Sequence, residues 1–92
     1  MVELIISVDL MKKGYAVFRA LSPSCICDLI IFKKESKLFE IEVKTGYQAE
    51  NSRLIFPRKR DKEKDGRIYA IWERNTGQIF YLEQTTLNKI EL

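Results

Sequence analysis

The chain has 92 residues, 46% of them apolar and 32% charged, with a formal net charge of +3. That length suits a single domain spanning 1–92 around one small core, which association with a second copy would reinforce. There is no histidine, and the two cysteines, Cys25 and Cys27, flank a single residue, so imidazole-dependent zinc sites, Ser-His-Asp or Cys-His catalysis and any histidine general base are excluded. Acid, base and metal chemistry falls to carboxylates and lysines.

The opening MVELIISVDLMKKGY is apolar only in patches and carries Glu3, Asp9, Lys12 and Lys13. It reads as neither signal peptide nor membrane span, and a soluble, cytoplasmic protein is expected. Apolar residues at 4, 5, 6, 8, 10 and 11 before Gly14 predict a helix over residues 2–13. At about 100° per residue, Asp9, Lys12 and Lys13 share the solvent side. Leu4, Ile6, Val8, Leu10 and Met11 form a broad inward arc, into which Glu3 and Ser7 project.

YAVFRAL and CICDLIIF follow, separated by a turn-like SPS, and read as strands, with both cysteines reduced and half-buried. After a polar KKES turn, KLFEIEVKT sets Leu38 or Phe39, Ile41 and Val43 against Glu40, Glu42 and Lys44 in strict alternation, a strand with one wet edge or face. Gly46 is expected to end it. Residues 53–67 hold seven of the sixteen basic residues against three acidic ones. This run is either a solvated loop or a contact for a polyanion such as a nucleic-acid backbone, and it includes a short RLIF strand halted by Pro57. RIYAIWE and QIFYLE flank an RNTG turn and predict a hairpin, and TTLNKIEL a short capped helix with Leu87 and Ile90 facing inward. The order predicts an α+β domain with a mixed sheet.

With a tight turn near Glu35, the numbers of paired positions in the central hairpin sum to about 70, which sets Asp28 opposite Glu42. Directly opposed residues share a face with Cβ atoms roughly 5 Å apart, and Lys44 lies on the same side. Like charges that close repel, so a sheet built only for stability would avoid them. A divalent cation compensates: hard carboxylate oxygens suit Mg²⁺, which keeps several waters and bridges to phosphate, and the Lys44 ammonium beside it can stabilise phosphate charge or orient water. The alternative is an ordinary solvated strand face on which Glu42 pairs with Lys44 or Lys33. Glu40 is a second choice for Glu42, and Glu3 a third carboxylate able to reach the metal directly or through water.

The run CDLIIFKKESKLFEIEVKTG resembles the active-site hairpin of the PD-(D/E)XK nuclease superfamily, with Asp28, Glu42, Val43 and Lys44 at its motif positions. The preceding ELIISVDLMKKGYAVFRALSPS is similar to the helix and first strand of its small members, such as Holliday-junction resolvases and homing-type endonucleases. The resemblance covers roughly residues 3–48, and the rest only by strand order. It implies a restriction-endonuclease-like fold and Mg²⁺-dependent (Mn²⁺ as substitute) hydrolysis of phosphodiesters in double-stranded or branched DNA. In this reading Asp28, Glu42 and the Val43 carbonyl ligate metal, Lys44 positions water and stabilises the pentacovalent state, and Glu3 matches a helix-borne glutamate. Gln48 reaches the scissile region, and Arg58, Lys59, Arg60, Lys62 and Lys64 contact the backbone. Cys27 stands where the motif's proline would be, and no amphipathic helix is legible between Gly46 and Gly66, which leaves a trimmed core or a segment recruited to substrate or to a dimer edge. Cutting both strands needs two sites, so a homodimer or higher homo-oligomer is expected. The competing readings are a non-catalytic nucleic-acid-binding or assembly module on the same fold, and a structural α+β domain with a solvated strand face.

Overall fold

The computed structural model describes residues 1–21, 27–34 and 37–92. Helix α1 (Val2–Lys12) covers one face of a six-stranded sheet built from β1 (Ala16–Arg19), β2 (Leu29–Phe32), β3 (Phe39–Gln48), β4 (Leu54–Ile55), β5 (Ile68–Glu73) and β6 (Ile79–Glu83). The order across the sheet is β1-β2-β3-β5-β6, with β4 on the far end of β3. Among the described residues only β3 and β5 pair in parallel, so the sheet is mixed and the α+β expectation holds. The SPS turn, Cys25 and the Glu35 turn centre lie outside the described residues. Cys27 is buried. Among the described residues, no helix is long and apolar enough to cross a membrane.

The helix buries less than its composition offers. Ile6 and Leu10, one turn apart, are fully buried, whereas Leu4, Val8 and Met11 remain 66%, 42% and 53% exposed. The broad inward arc is therefore a narrow line: the helix contacts the sheet along one i, i+4 ridge, and what lies to either side stays outside. Beneath that ridge Leu29, Ile31, Ile41, Ile68, Ala70 and Tyr81 complete the core. Asp9 extends it by accepting a 2.6 Å hydrogen bond from the Tyr81 hydroxyl, and burial with this carboxylate beside it pushes the phenol well above its ordinary range.

The opposite face carries a second cluster, Tyr69, Ile71, Phe80 and Leu82, packed beneath Leu54, Phe56 and Leu87. Its cover is the chain between β3 and β5. A parallel pair needs a crossover, and here it is made by β4 and a single 3-10 turn, Arg60–Lys62, in place of an α-helix. Phe56 meets the Tyr69 ring edge-on, with centroids 5.1 Å apart. Arg58 donates two 2.7 Å hydrogen bonds to Glu63, which also accepts a 2.6 Å bond from the Tyr69 hydroxyl. Arg67, 2% exposed, ties the crossover's end to Glu40 and to the Lys62 carbonyl.

Two boundaries depart from expectation. Gly46 does not end β3, which runs on to Gln48: the glycine allows a close approach, since a Cβ there would lie 2.6 Å from the Ile55 carbonyl oxygen. The tail is not a helix. The Glu83 carboxylate accepts hydrogen bonds from the Thr85 and Thr86 amides, Leu87 takes φ 61°, and the chain turns back to form a bridge between Leu82 and Lys89. Leu87 and Ile90 nonetheless pack inward, on opposite faces of the sheet.

Candidate active site

Alternation along β3 divides its side chains between the two faces. Ile41 belongs to the core under α1, so Glu40, Glu42, Lys44, Gly46 and Gln48 occupy the face beneath the crossover. Glu42 and Lys44, both about a fifth exposed, form a 3.0 Å ion pair. Glu42 is also the weak acceptor, at 3.4 Å, of a hydrogen bond from the side-chain amide of Gln84. Gln84 is itself fully buried and held through its Oε1 by the Lys64 amide. The sequence offered no sign of Gln84: it follows β6 and reaches Glu42 only because the parallel β3–β5 pairing brings β6 within two strands.

The β2–β3 register is the expected one, with Leu29 opposite Ile41, Ile30 opposite Glu40 and Ile31 opposite Phe39. It stops one residue short of Asp28, whose amide donates to the Ile41 carbonyl at 2.9 Å, so the chain slips as it enters β2. Asp28 is therefore not a ladder partner of Glu42. Its carboxylate turns onto β3, where Oδ2 accepts a 2.7 Å hydrogen bond from the Val43 amide, and Oδ1 has no hydrogen-bond partner among the described residues. Asp28 is thus anchored on the backbone of Val43, which lies between Glu42 and Lys44 in sequence, rather than opposite Glu42 in the ladder.

The other expected residues are distributed unevenly. Glu3 leaves the start of α1, on the far side of the sheet from Glu42, and pairs with Arg19 of β1 at 3.2 Å. Glu40 is engaged by Arg67. Arg58 is committed to Glu63, whose carboxyl is held below its ordinary range by that guanidinium and then by the Tyr69 hydroxyl. Lys59, Arg60, Lys62 and Lys64 are exposed along the crossover. Gln48 is exposed farther along β3, and its amide donates to the buried Glu73 carboxylate at 3.0 Å. Glu73 also accepts from the Asn75 and Thr76 amides; its carboxyl is held low, first by the Gln48 amide, and caps the β5–β6 turn.

The oxygen donors fit a hard cation. Asp28 and Glu42 stand beside the Val43 backbone, and Mg²⁺ requires only one or two carboxylates. No group of three or more acidic or thiol side chains able to hold a metal occurs among the described residues, so water or substrate would complete the coordination.

No family model matches the chain, and no curated protein sequence matches it. Among solved structures, a bacterial homing endonuclease, I-Ssp6803I, is similar over 99% of this chain and 69% of its own, with a TM-score of 0.73 at 16% identity. At that identity the likeness establishes the fold, a nuclease-like α+β arrangement.

Proposed function

We propose that this chain is a metal-dependent endonuclease of the PD-(D/E)XK type that hydrolyses phosphodiesters in DNA, structured or branched DNA included. The observation that carries the reading is the Asp28 carboxylate pinned at 2.7 Å on the Val43 amide, between the ion-paired Glu42 and Lys44. The fold shared with a homing endonuclease supports it.

Asp28, Glu42 and the Val43 carbonyl would hold Mg²⁺, which when bound supplies Lewis-acid stabilisation of the phosphoryl group. Asp28 needs little reorganisation, because its second oxygen is already fixed on the backbone. Glu42 would hold the ion through the oxygen that pairs with Lys44, with its other oxygen oriented by the Gln84 amide. Lys44 would orient the attacking water and offset charge developing in the transition state. Lys59, Arg60, Lys62 and Lys64 contact neighbouring phosphates independently of sequence. Cutting both strands requires a homo-oligomer. The side of α1 bearing Leu4, Val8 and Met11 at i, i+4 and i+7 suits packing against a second copy.

The test is cleavage of plasmid and four-way-junction DNA with Mg²⁺ or Mn²⁺. Cutting by the wild type that stops in EDTA and in Lys44→Ala supports the proposal, and full-rate cutting by Lys44→Ala would falsify it. A second reading, a nucleic-acid-binding module without catalysis, is favoured by Glu42 already having Lys44 as its counter-ion at 3.0 Å. It predicts salt-sensitive DNA binding with neither Mn²⁺ binding nor cutting.

A further inference from the structure

On the same sheet face, past the crossover, lies a groove of about 660 Å³, a size suited to one nucleotide-sized ligand. Its floor is apolar, made by Leu54, Phe80 and Leu87, and its rim carries Arg53, Arg60 and Lys89. No carboxylate lines it among the described residues. Arg58 also borders it, but its guanidinium is committed to Glu63. Lys89 hangs over the floor, with Nζ 5.4 Å from the Phe80 ring centroid, and no carboxylate pairs with Arg53, Arg60 or Lys89 among the described residues.

The groove also lies at a definite position relative to the motif residues. Lys44 pairs with Ile71, and Ile71 with Phe80, so Phe80 stands in the Lys44 row two strands away. At strand spacing this is about 10 Å, or about three nucleotides along a B-form strand. That separation is short enough for one nucleic-acid strand to span both Lys44 and the groove.

We infer that this groove binds an unpaired nucleotide of the substrate, its phosphates against Arg53, Arg60 and Lys89 and its base against Leu54, Phe80 and Leu87; this rests on the nucleic-acid reading above and names its substrate class. The unpaired state follows from the pairing of charge with an apolar floor. Phosphates of an intact duplex would satisfy the cations alone, but only a base taken out of the stack can present an apolar face to the leucines and the phenylalanine. The preferred substrate is thus DNA with a bulge, a branch or a single-stranded junction near the cleavage position.

The experiment is fluorescence anisotropy of the full chain in EDTA, which separates binding from cutting. The probes are a duplex carrying a two-nucleotide bulge and its fully paired counterpart. Wild type is expected to prefer the bulged duplex by at least fivefold, and Arg53→Gln/Lys89→Gln to reduce that preference below twofold. Leu87→Asn removes part of the floor with a residue that tolerates φ near 61°, and is expected to reduce the preference as well. Equal affinity of the wild type for both probes overturns the inference while leaving a duplex nuclease intact. So does a preference retained in both variants, or competition by a polyglutamate peptide as effective as by the bulged probe. Binding of neither probe overturns this inference and the nucleic-acid reading together.

Discussion

Asp28 shows how a single residue can be legible in kind and not in geometry. The strand pattern of KLFEIEVKT located Glu42 and Lys44 on one face, and the hairpin sum of about 70 matches the three observed β2–β3 pairs. The slip at Asp28 was not legible, because it depends on its carboxylate finding the Val43 amide, a backbone partner that leaves no mark in side-chain alternation. The contact makes a clean experiment possible. Asparagine keeps an oxygen for that amide but carries no charge, so Asp28→Asn is expected to retain the wild-type unfolding midpoint in urea while losing about 10²-fold or more in cleavage rate, the scale on which removing one stabilising group acts. Loss of folding would reveal a structural carboxylate instead. Gln84 lay beyond sequence reasoning for a related reason: its proximity to Glu42 is created by strand order, which hydrophobic periodicity does not encode.

Among the elements, α1 and the main strands followed from periodicity, whereas the crossover and the tail did not. Both depend on local polar closure. Glu83 gathers the Thr85 and Thr86 amides into a turn, and Arg58, Glu63 and Tyr69 fasten the crossover; neither has a periodic signature. The crossover's packing on Gly46 is testable by Gly46→Ala, whose methyl would meet the Ile55 carbonyl at 2.6 Å. A loss of about 1–3 kcal/mol in urea unfolding is expected, the range for overpacking a tight contact. Glu63 supplies the pH dependence. Its carboxyl is held below the ordinary range in the folded state, chiefly by Arg58, so its stabilisation is complete above the unfolded value of about 4.3 and disappears as pH falls through the lower folded value. Glu63→Gln is expected to lower neutral-pH stability by about 1.5–3 kcal/mol, the worth of hydrogen bonds to a charged group. It should also flatten the acid limb of a stability–pH curve; an unchanged limb would mean that Arg58 and Glu63 are not coupled as the geometry requires.

For the whole molecule, composition and element order reached the mixed α+β sheet, and the likeness to a homing endonuclease at TM-score 0.73 agrees with it. What composition could not divide is the basic run of 53–67: Arg58 and Arg67 fasten the fold, while Lys59, Arg60, Lys62 and Lys64 are exposed. If the exposed group meets phosphates, replacing its three lysines by glutamine is expected to lower the slope of log K against log salt by roughly 2 to 3, with stability unaffected. The surplus apolar surface of α1 belongs to this scale as well. Leu4→Glu/Val8→Glu is expected to turn any sedimenting dimer into monomer, and an unaltered dimer would place the interface elsewhere. The most direct test of the central claim, a metal site made by Asp28 and Glu42 beside Lys44, is a calorimetric Mn²⁺ titration of the wild type, Asp28→Asn, Glu42→Gln and, as the neighbouring control on the same strand face, Glu40→Gln. Binding by the wild type and Glu40→Gln that is lost in the other two is the predicted result; binding that survives Asp28→Asn and Glu42→Gln, or that is lost with Glu40→Gln alone, would contradict it.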